Sequence, residues 1–276
     1  MNMDRERLLQ GLAESAVAAG AAIMKIYASD FAVEMKCDAS PVTAADAAGE
    51  AIILAALATL SPNIPVVAEE EAAAGRIPDT QGCFYLVDPL DGTKEFIGRN
   101  GDFTVNIALI EDHMPSLGVV FTPVERRLFV GDVARRTAWT ALVAEDGSIG
   151  MQTPLRIRSA PAGGLAAVAS RSHNSPATEA YLDQFDVATR VTRGSSLKIC
   201  MVARGEADLY PRLAPTMEWD IAAGDAVLRA AGGTLDAPDG QPMRYGKPRF
   251  FNPGFVAAGD VTTPPIGPYL TETAAD

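Results

Sequence analysis

The sequence predicts a layered α/β sandwich, with an α+β N-terminal part built on an antiparallel sheet and an α/β C-terminal part. Three observations carry this reading. Two alanine-rich helical stretches open the chain, four β-rich segments follow at close spacing between Phe103 and Val143, and from Ala166 onward strands and helices alternate. The polar, glycine-containing stretch from Gly147 to Pro154 separates the two rhythms, so the expected units are residues 1–150, with most of the candidate ligand acids, and 151–276. At 276 residues the chain is long enough for one large core or two modest ones.

Arg5 to Tyr27 places Leu8, Leu9, Leu12, Val17, Ile23 and Met24 at helical spacing. Phe31 to Lys36 reads as a short strand, and Lys36 to Val42 as a turn. Thr43 is the expected N-cap of a second helix, Ala44 to Leu60, which Ser61-Pro62-Asn63 ends. The apolar runs Ile64–Ala68 and Phe84–Val87 are strands, each running straight into acids. Phe103–Ile110, Ser116–Phe121, Arg127–Val133 and Thr137–Val143 form a meander. In the second half the expected strands are Ala166–Ser170, Val187–Arg193, Ala207–Tyr210 and Phe255–Ala258. The expected helices are Pro176–Phe185, Ser195–Arg204 and Ile221–Ala231, the last stopped by Gly232-Gly233. The tail from Thr262 to Asp276 reads as irregular.

Composition removes several classes of function. A net charge of −12 argues against binding a nucleic-acid polymer, though not against a small phosphorylated substrate. The longest apolar runs are too short to span a bilayer, and Met1 to Arg7 lacks the shape of a signal peptide. Cys37, Cys83 and Cys200 are odd in number and far apart, which fits reduced thiols and a cytoplasmic location. With only His113 and His173, a histidine-based metal centre is not expected.

The chemistry concentrates at the two acidic strand ends. Asp88 and Asp91 flank Pro89-Leu90 and are followed by Gly92-Thr93, so two carboxylates and the Leu90 carbonyl can converge where the strand turns. Glu69-Glu70-Glu71 ends the neighbouring strand, and Glu69, directly after Val66-Val67-Ala68, is the expected ligand. Crowded carboxylates call for a cation, and oxygen-only donors select hard ions, Mg²⁺ above all. Asp46 and Asp220 have a plain local explanation. Thr43-x-x-Asp46 has capping-box spacing, and Asp220 opens a helix beside Trp219. Gly194-Ser195-Ser196-Leu197-Lys198 is either an ordinary capped helix start or a phosphate grip, and Arg171 to Asn174 could serve the same anion. Arg212 is a lone loop arginine, and no serine- or cysteine-nucleophile spacing is present, which leaves metal-activated water as the nucleophile.

Glu69-Glu70, Asp88-Pro-Leu-Asp-Gly-Thr93 and Trp219-Asp-Ile-Ala-Ala-Gly224 with Ala231-Gly-Gly233 resemble the inositol monophosphatase superfamily of Mg²⁺-dependent, lithium-sensitive phosphatases over almost the whole chain. Thr93-Lys-Glu-Phe-Ile97, Arg99-Asn100, Phe103-Thr-Val-Asn-Ile-Ala108 and Pro215-Thr-Met-Glu-Trp-Asp220 are similar to its 3′(2′),5′-bisphosphate nucleotidases of the CysQ type. The resemblance implies that fold, two or three Mg²⁺ ions, and removal of the 3′-phosphate from adenosine 3′,5′-bisphosphate, the by-product of sulfate activation, to leave AMP. Some such enzymes also act on the sulfated precursor. The resemblance adds Asp220 to Glu69, Asp88, Asp91 and the Leu90 carbonyl around the metals. It pairs Asp46 with Thr93, alongside Glu69, in orienting water. It assigns Ser195, Lys198 and His173 to the nucleotide's other phosphate and Arg212 to the base side, with the Gly92-Thr93 amides on the scissile phosphate. A monomer or homodimer is expected. The alternatives are an inositol phosphate or fructose 1,6-bisphosphate phosphatase, a non-catalytic phosphonucleotide sensor, and a calcium-binding structural module.

Overall fold

The computed structural model describes residues 2–35, 41–170 and 175–270. Residues 36–40 of the expected turn and the polar stretch at 171–174, His173 included, lie outside the described residues, while Pro41 and Val42, expected in that turn, pair as a strand with Met35 and Glu34. Helix α1 (Asn2–Tyr27) is followed by β1 (Val33–Met35), β2 (Pro41–Thr43), α2 (Ala44–Leu60), β3 (Val66–Ala68), α3 (Glu69–Ala73), β4 (Cys83–Asp91) and α4 (Thr93–Ile97). The meander is β5 (Thr104–Glu111), β6 (Met114–Thr122), β7 (Arg127–Asp132) and β8 (Thr137–Leu142), extended by β9 (Thr153–Pro154). Then come β10 (Leu165–Ser170), α5 (Pro176–Leu182), β11 (Val187–Arg193), α6 (Leu197–Ala203), β12 (Leu209–Arg212), β13 (Thr216–Met217) and α7 (Glu218–Ala231). The chain closes with β14 (Thr234–Asp236), β15 (Phe251–Asn252) and β16 (Phe255–Ala258).

Five layers result. α1 and α2 cover one face of a seven-stranded sheet ordered β3-β4-β5-β6-β7-β8-β9, burying Leu12, Ile23, Ile53 and Leu57 against Tyr85, Val87, Ile107 and Val119. The opposite face carries Leu86, Ala108, Val120 and Phe129, and packs on α6 and α7. Those helices in turn lie on a five-stranded sheet ordered β11-β10-β12-β16-β14 through Val168, Tyr210 and Ala257. The alternate residues Ala167, Leu209, Val256 and Ala258 face outward onto Tyr181 and Leu182 of α5. Helix α7 sits closest to the first sheet at Gly118 and Gly131, where a Cβ would stand 2.3 Å from the Ala223 carbonyl and 2.6 Å from the Val227 Cα. Hence α7, from the second half, shares a core with strands of the first.

Three local departures from the sequence reading bear on the site. The three glutamates do not lie on a strand end. β3 stops at Ala68 and Glu69 opens helix α3, because the buried Glu50 carboxylate accepts the N–H groups of Glu70 (2.8 Å) and Glu71 (3.1 Å) and so caps that helix. The strand carrying Asp88 does not end at Val87. It runs to Asp91, with the β5 pairing slipping between Asp88 and Asp91 as Pro89 withholds its ladder bond. Finally, Asp220 is not the cap residue of α7. The helix begins earlier, at Glu218, and Asp220 in its first turn accepts the Met217 N–H (2.9 Å).

Candidate active site

A cleft of about 240 Å³ opens where α4, α6, β12 and the start of α7 meet. Its lining includes Glu69, Asp91, Gly92, Thr93, Ser195, Lys198, Arg212 and Asp220, so eight sequence-predicted residues from five segments are brought to one place. Asp88, 1% exposed, lies close enough to Glu69, Asp91 and Asp220 that their charges act on it.

The β4–α4 corner is built by Gly92. It adopts φ +94°, and a Cβ there would stand 3.0 Å from the Asp102 carbonyl, so both conformation and space demand glycine. α4 is pinned by its apolar side. Phe96 packs in a cluster with Tyr27, Phe31 and Phe103, and Arg99 lies over the Tyr27 and Phe31 rings while donating to the Ser29 carbonyl (2.7 Å). The first residue of α4, Thr93, is thereby held with its hydroxyl 3.4 Å from Asp46 Oδ1 and 3.3 Å from the Leu90 carbonyl. Asp46 is fully occupied on its other oxygen, where Oδ2 accepts the Thr43 N–H (2.8 Å) and hydroxyl (2.9 Å) in the expected capping box. One oxygen of Asp46 caps α2 and the other faces Thr93. The capping role and the site role coexist.

The three remaining aspartates are each anchored at one oxygen. Asp88 Oδ1 accepts the Leu90 N–H (2.9 Å), Asp91 Oδ2 accepts the Ser196 N–H, and Asp220 Oδ2 accepts the Met217 N–H and the Thr216 hydroxyl. Burial raises all three carboxyls above their ordinary range, and mutual repulsion adds to it. Asp88 is pushed well up by burial and then by Glu69, Asp91 and Asp220, while Asp91 rises to about 7 through burial and Asp220. Asp220 is raised by burial, against the hydroxyl and N–H it accepts and the nearby Arg212 and Lys198. Glu50, behind them, is raised to about 7 by burial, against the N–H of Glu70.

This donor set fits a divalent cation. Four carboxylates and a backbone carbonyl are oxygen donors only, and a hard cation is the counter-charge that would allow the buried acids to ionise together. Among the described residues no three His, Cys, Asp or Glu side chains are drawn together at ligand spacing.

Also in the cleft lining, Lys198 is 2% exposed, donates from Nζ to the Ser195 carbonyl (2.7 Å) and lies over the Tyr210 ring. Arg212 donates to the carbonyls of Ala214 (3.3 Å) and Pro215 (2.8 Å), which fixes its side chain along the rim. Ser195 takes φ +50° to turn the chain into α6. Glu50, Thr216 and Tyr210 carry no role in the sequence reading, and Ser196 enters it only within the Gly194–Lys198 phosphate grip, whereas its hydroxyl is spent on Asn106 and Thr104. Of these, Thr216-x-x-x-Asp220 and Glu50, one turn beyond Asp46 on α2, carry spacings that could have been noticed.

Comparison with known proteins places these features in context. The model of the inositol monophosphatase family matches residues 4–265. A 3′(2′),5′-bisphosphate nucleotidase CysQ from Escherichia coli O157:H7 is 44% identical over 252 residues, covering 90% of this chain and 98% of the relative. The protein of the same name from Aggregatibacter actinomycetemcomitans is 34% identical over 90% of this chain and 91% of its own length. Among solved structures, CysQ from Bacteroides thetaiotaomicron superposes with a TM-score of 0.76 at 36% identity, covering 92% of this chain and 97% of that one. An inositol monophosphatase from Anabaena (Nostoc) sp. PCC 7120 shares the fold, with a TM-score of 0.73 at 24% identity, covering 97% of this chain and 100% of that one.

Proposed function

The chain belongs to the inositol monophosphatase family and is a phosphatase of that family, and from that premise we propose that it hydrolyses the 3′-phosphate of adenosine 3′,5′-bisphosphate, with Mg²⁺, to give AMP and phosphate. The sulfated precursor, 3′-phosphoadenylyl sulfate, is proposed as a second substrate. The observation that carries the nucleotide assignment is the composition of the cleft. Lys198 and Arg212 line the same cleft as Glu69, Asp91 and Asp220, so a substrate with a second phosphate finds a cationic partner beside the reacting one.

Glu69, Asp88, Asp91, Asp220 and the Leu90 carbonyl would hold the ions, two or three in number. Bound Mg²⁺ supplies charge neutralisation on the phosphate and lowers the pKa of attacking water. The chain's own residues do the rest. The Thr93 hydroxyl, between Asp46 Oδ1 and the Leu90 carbonyl, is placed to orient water, and Asp46 can take the proton that water releases. Glu69, on the first turn of α3, stands beside them as a second carboxylate for that water. The Gly92 and Thr93 amides offer donors to the scissile phosphate. Lys198 and Ser195 serve the other phosphate, Arg212 that phosphate and the base side, and Tyr210 and Phe255 supply an apolar wall. His173 is assigned to the same phosphate by family resemblance.

Phosphate release with Mg²⁺ from adenosine 3′,5′-bisphosphate, inositol 1-phosphate and fructose 1,6-bisphosphate, with and without lithium, tests the proposal. Preference for the nucleotide with lithium inhibition is expected. Preference for inositol phosphate or fructose bisphosphate would overturn the substrate while leaving the phosphatase chemistry intact.

A further inference from the structure

Strand β5 carries two buried polar residues, Thr104 and Asn106, both 0% exposed. The antiparallel register sets Asp91 opposite Thr104 and Asp88 opposite Asn106, and residues two apart on a strand share a face. The two candidate ligand acids of β4 are thus each matched by a buried polar neighbour on β5. Into this pair comes Ser196, from the other half of the chain and 3% exposed. Its hydroxyl donates to Asn106 Oδ1 (2.8 Å) and lies 2.8 Å from the Thr104 hydroxyl.

With the Asn106 amide oxygen turned to Ser196, the proton count sets the direction of the chain of bonds. An amide oxygen only accepts, so the single Ser196 proton goes to Asn106, and Thr104 must then donate to Ser196. The backbone N–H of the same serine donates to Asp91 Oδ2. The Asn106 Nδ2 group is buried without a hydrogen-bond partner. A buried donor left unpaired carries a desolvation cost, and this one sits on the strand position facing Asp88. Two residues beyond Ser196, on the first turn of α6, is Lys198.

We propose that Thr104, Ser196 and Asn106 form a positioning relay that sets the orientation of Asp91 and fixes the distance between the ligand acids and the Lys198 grip. Thr104 and Asn106 lie outside the cleft lining, and Ser196, which lines it, spends its hydroxyl on Asn106, so the three act through Asp91 and α6. The relay rests on the reading of Asp88 and Asp91 as Mg²⁺ ligands, and its particular consequence is that a buried serine hydroxyl governs metal affinity. Outer hydrogen bonds of this kind typically change metal affinity by about 10- to 100-fold when removed.

Calorimetric titration of the chelator-stripped full chain with Mg²⁺ tests this, using wild type, Ser196→Ala, Thr104→Val and Thr104→Ser, alongside the Tm of each without metal. Ser196→Ala and Thr104→Val are expected to weaken Mg²⁺ binding by roughly 10-fold. Thr104→Ser, which keeps the hydroxyl, is expected to bind as wild type does. Wild-type affinity in both Ser196→Ala and Thr104→Val, with or without a fall in Tm, would overturn the relay and leave a merely structural network. Absence of Mg²⁺ uptake by the wild type would overturn the ligand assignment itself, and the relay with it.

Discussion

Asp208 and Asp91 are both acids held inside the protein, and their surroundings treat them in opposite ways. Asp208, 1% exposed, meets the Arg158 guanidinium through two bonds of 2.7 Å and accepts the Ala166 N–H (2.7 Å). Burial pushes its carboxyl up, but these donors outweigh it and hold the group below its usual range. Asp225, 0% exposed, is also met by donors, Arg229 (2.6 Å) and the Tyr245 hydroxyl (2.7 Å), although there burial wins and its carboxyl stays raised. Asp91 instead has Asp220 and Asp88 for neighbours, and Lys198, the Ser196 N–H and Arg212 do not prevent its rise to about 7. Scaffold acids are neutralised within the chain. Cleft acids are arranged against one another, which disfavours them all until positive charge arrives from outside. A pair of substitutions separates the two kinds.

Asp91→Asn carries the largest expected effect. Turnover should fall by about 10³-fold or more, as for loss of a preorganised charge contact, while the metal-free protein melts no lower than wild type because one repelling charge has gone. Asp208→Ala should do the reverse, costing on the order of 3 kcal/mol of stability by leaving Arg158 and the Ala166 N–H without their acceptor, with kcat of the folded fraction unchanged. Denaturant titration and steady-state kinetics on both variants check this. If the two lose stability alike, the distinction between scaffold and cleft acids is wrong. Thr93→Ala should follow, with kcat reduced about 10²-fold and KM little changed, since the hydroxyl faces Asp46 rather than Lys198 or Arg212. A rise in KM alone would move Thr93 from water orientation to substrate binding.

Much of this comparison could be read from the residues in order. Asp88 and Asp91 stand out because a strand, a proline and a glycine leave little else for them to do. Thr43-x-x-Asp46 gave the capping box correctly, since that motif is purely local, but local spacing has no information about Thr93, which is 47 positions away. Glu69 was placed on a strand end because the apolar run pointed there. The residue that turns it into a helix start, Glu50, belongs to another element, and its bonds to Glu70 and Glu71 span 20 and 21 positions. Ser196 reads from its own segment as a hydroxyl for a phosphate for the same reason, as its three partners lie on β4 and β5 and only the register sets them beside it. What periodicity cannot carry is a buried polar group whose partner comes from elsewhere in the chain.

The acid surplus also fixes the sign of the pH dependence. Asp91 and Glu50 rise to about 7 in the folded protein, whereas in the unfolded chain they return to about 4. Between those values the folded state binds more protons than the unfolded one, so the slope of stability against pH is negative. In chelator, their contribution is fully present below about pH 4 and is lost as pH climbs through about 7. Saturating Mg²⁺ binds the ionised form, so it should raise Tm more at about pH 8 than at about pH 5 and flatten the curve. Glu50→Gln separates the two carboxyls and is the smallest effect expected. It removes one titrating group, so the metal-free curve should lose part of its downward slope, and because Glu70 and Glu71 donate to different Glu50 oxygens the amide keeps an acceptor for only one of them, which should lower the Tm at every pH. The Tm gained on adding Mg²⁺ at about pH 8 should stay near the wild-type gain, because Glu50 caps α3 without belonging to the ligand set. A Glu50→Gln protein that lost its response to Mg²⁺ would place Glu50 with the cleft acids rather than the scaffold.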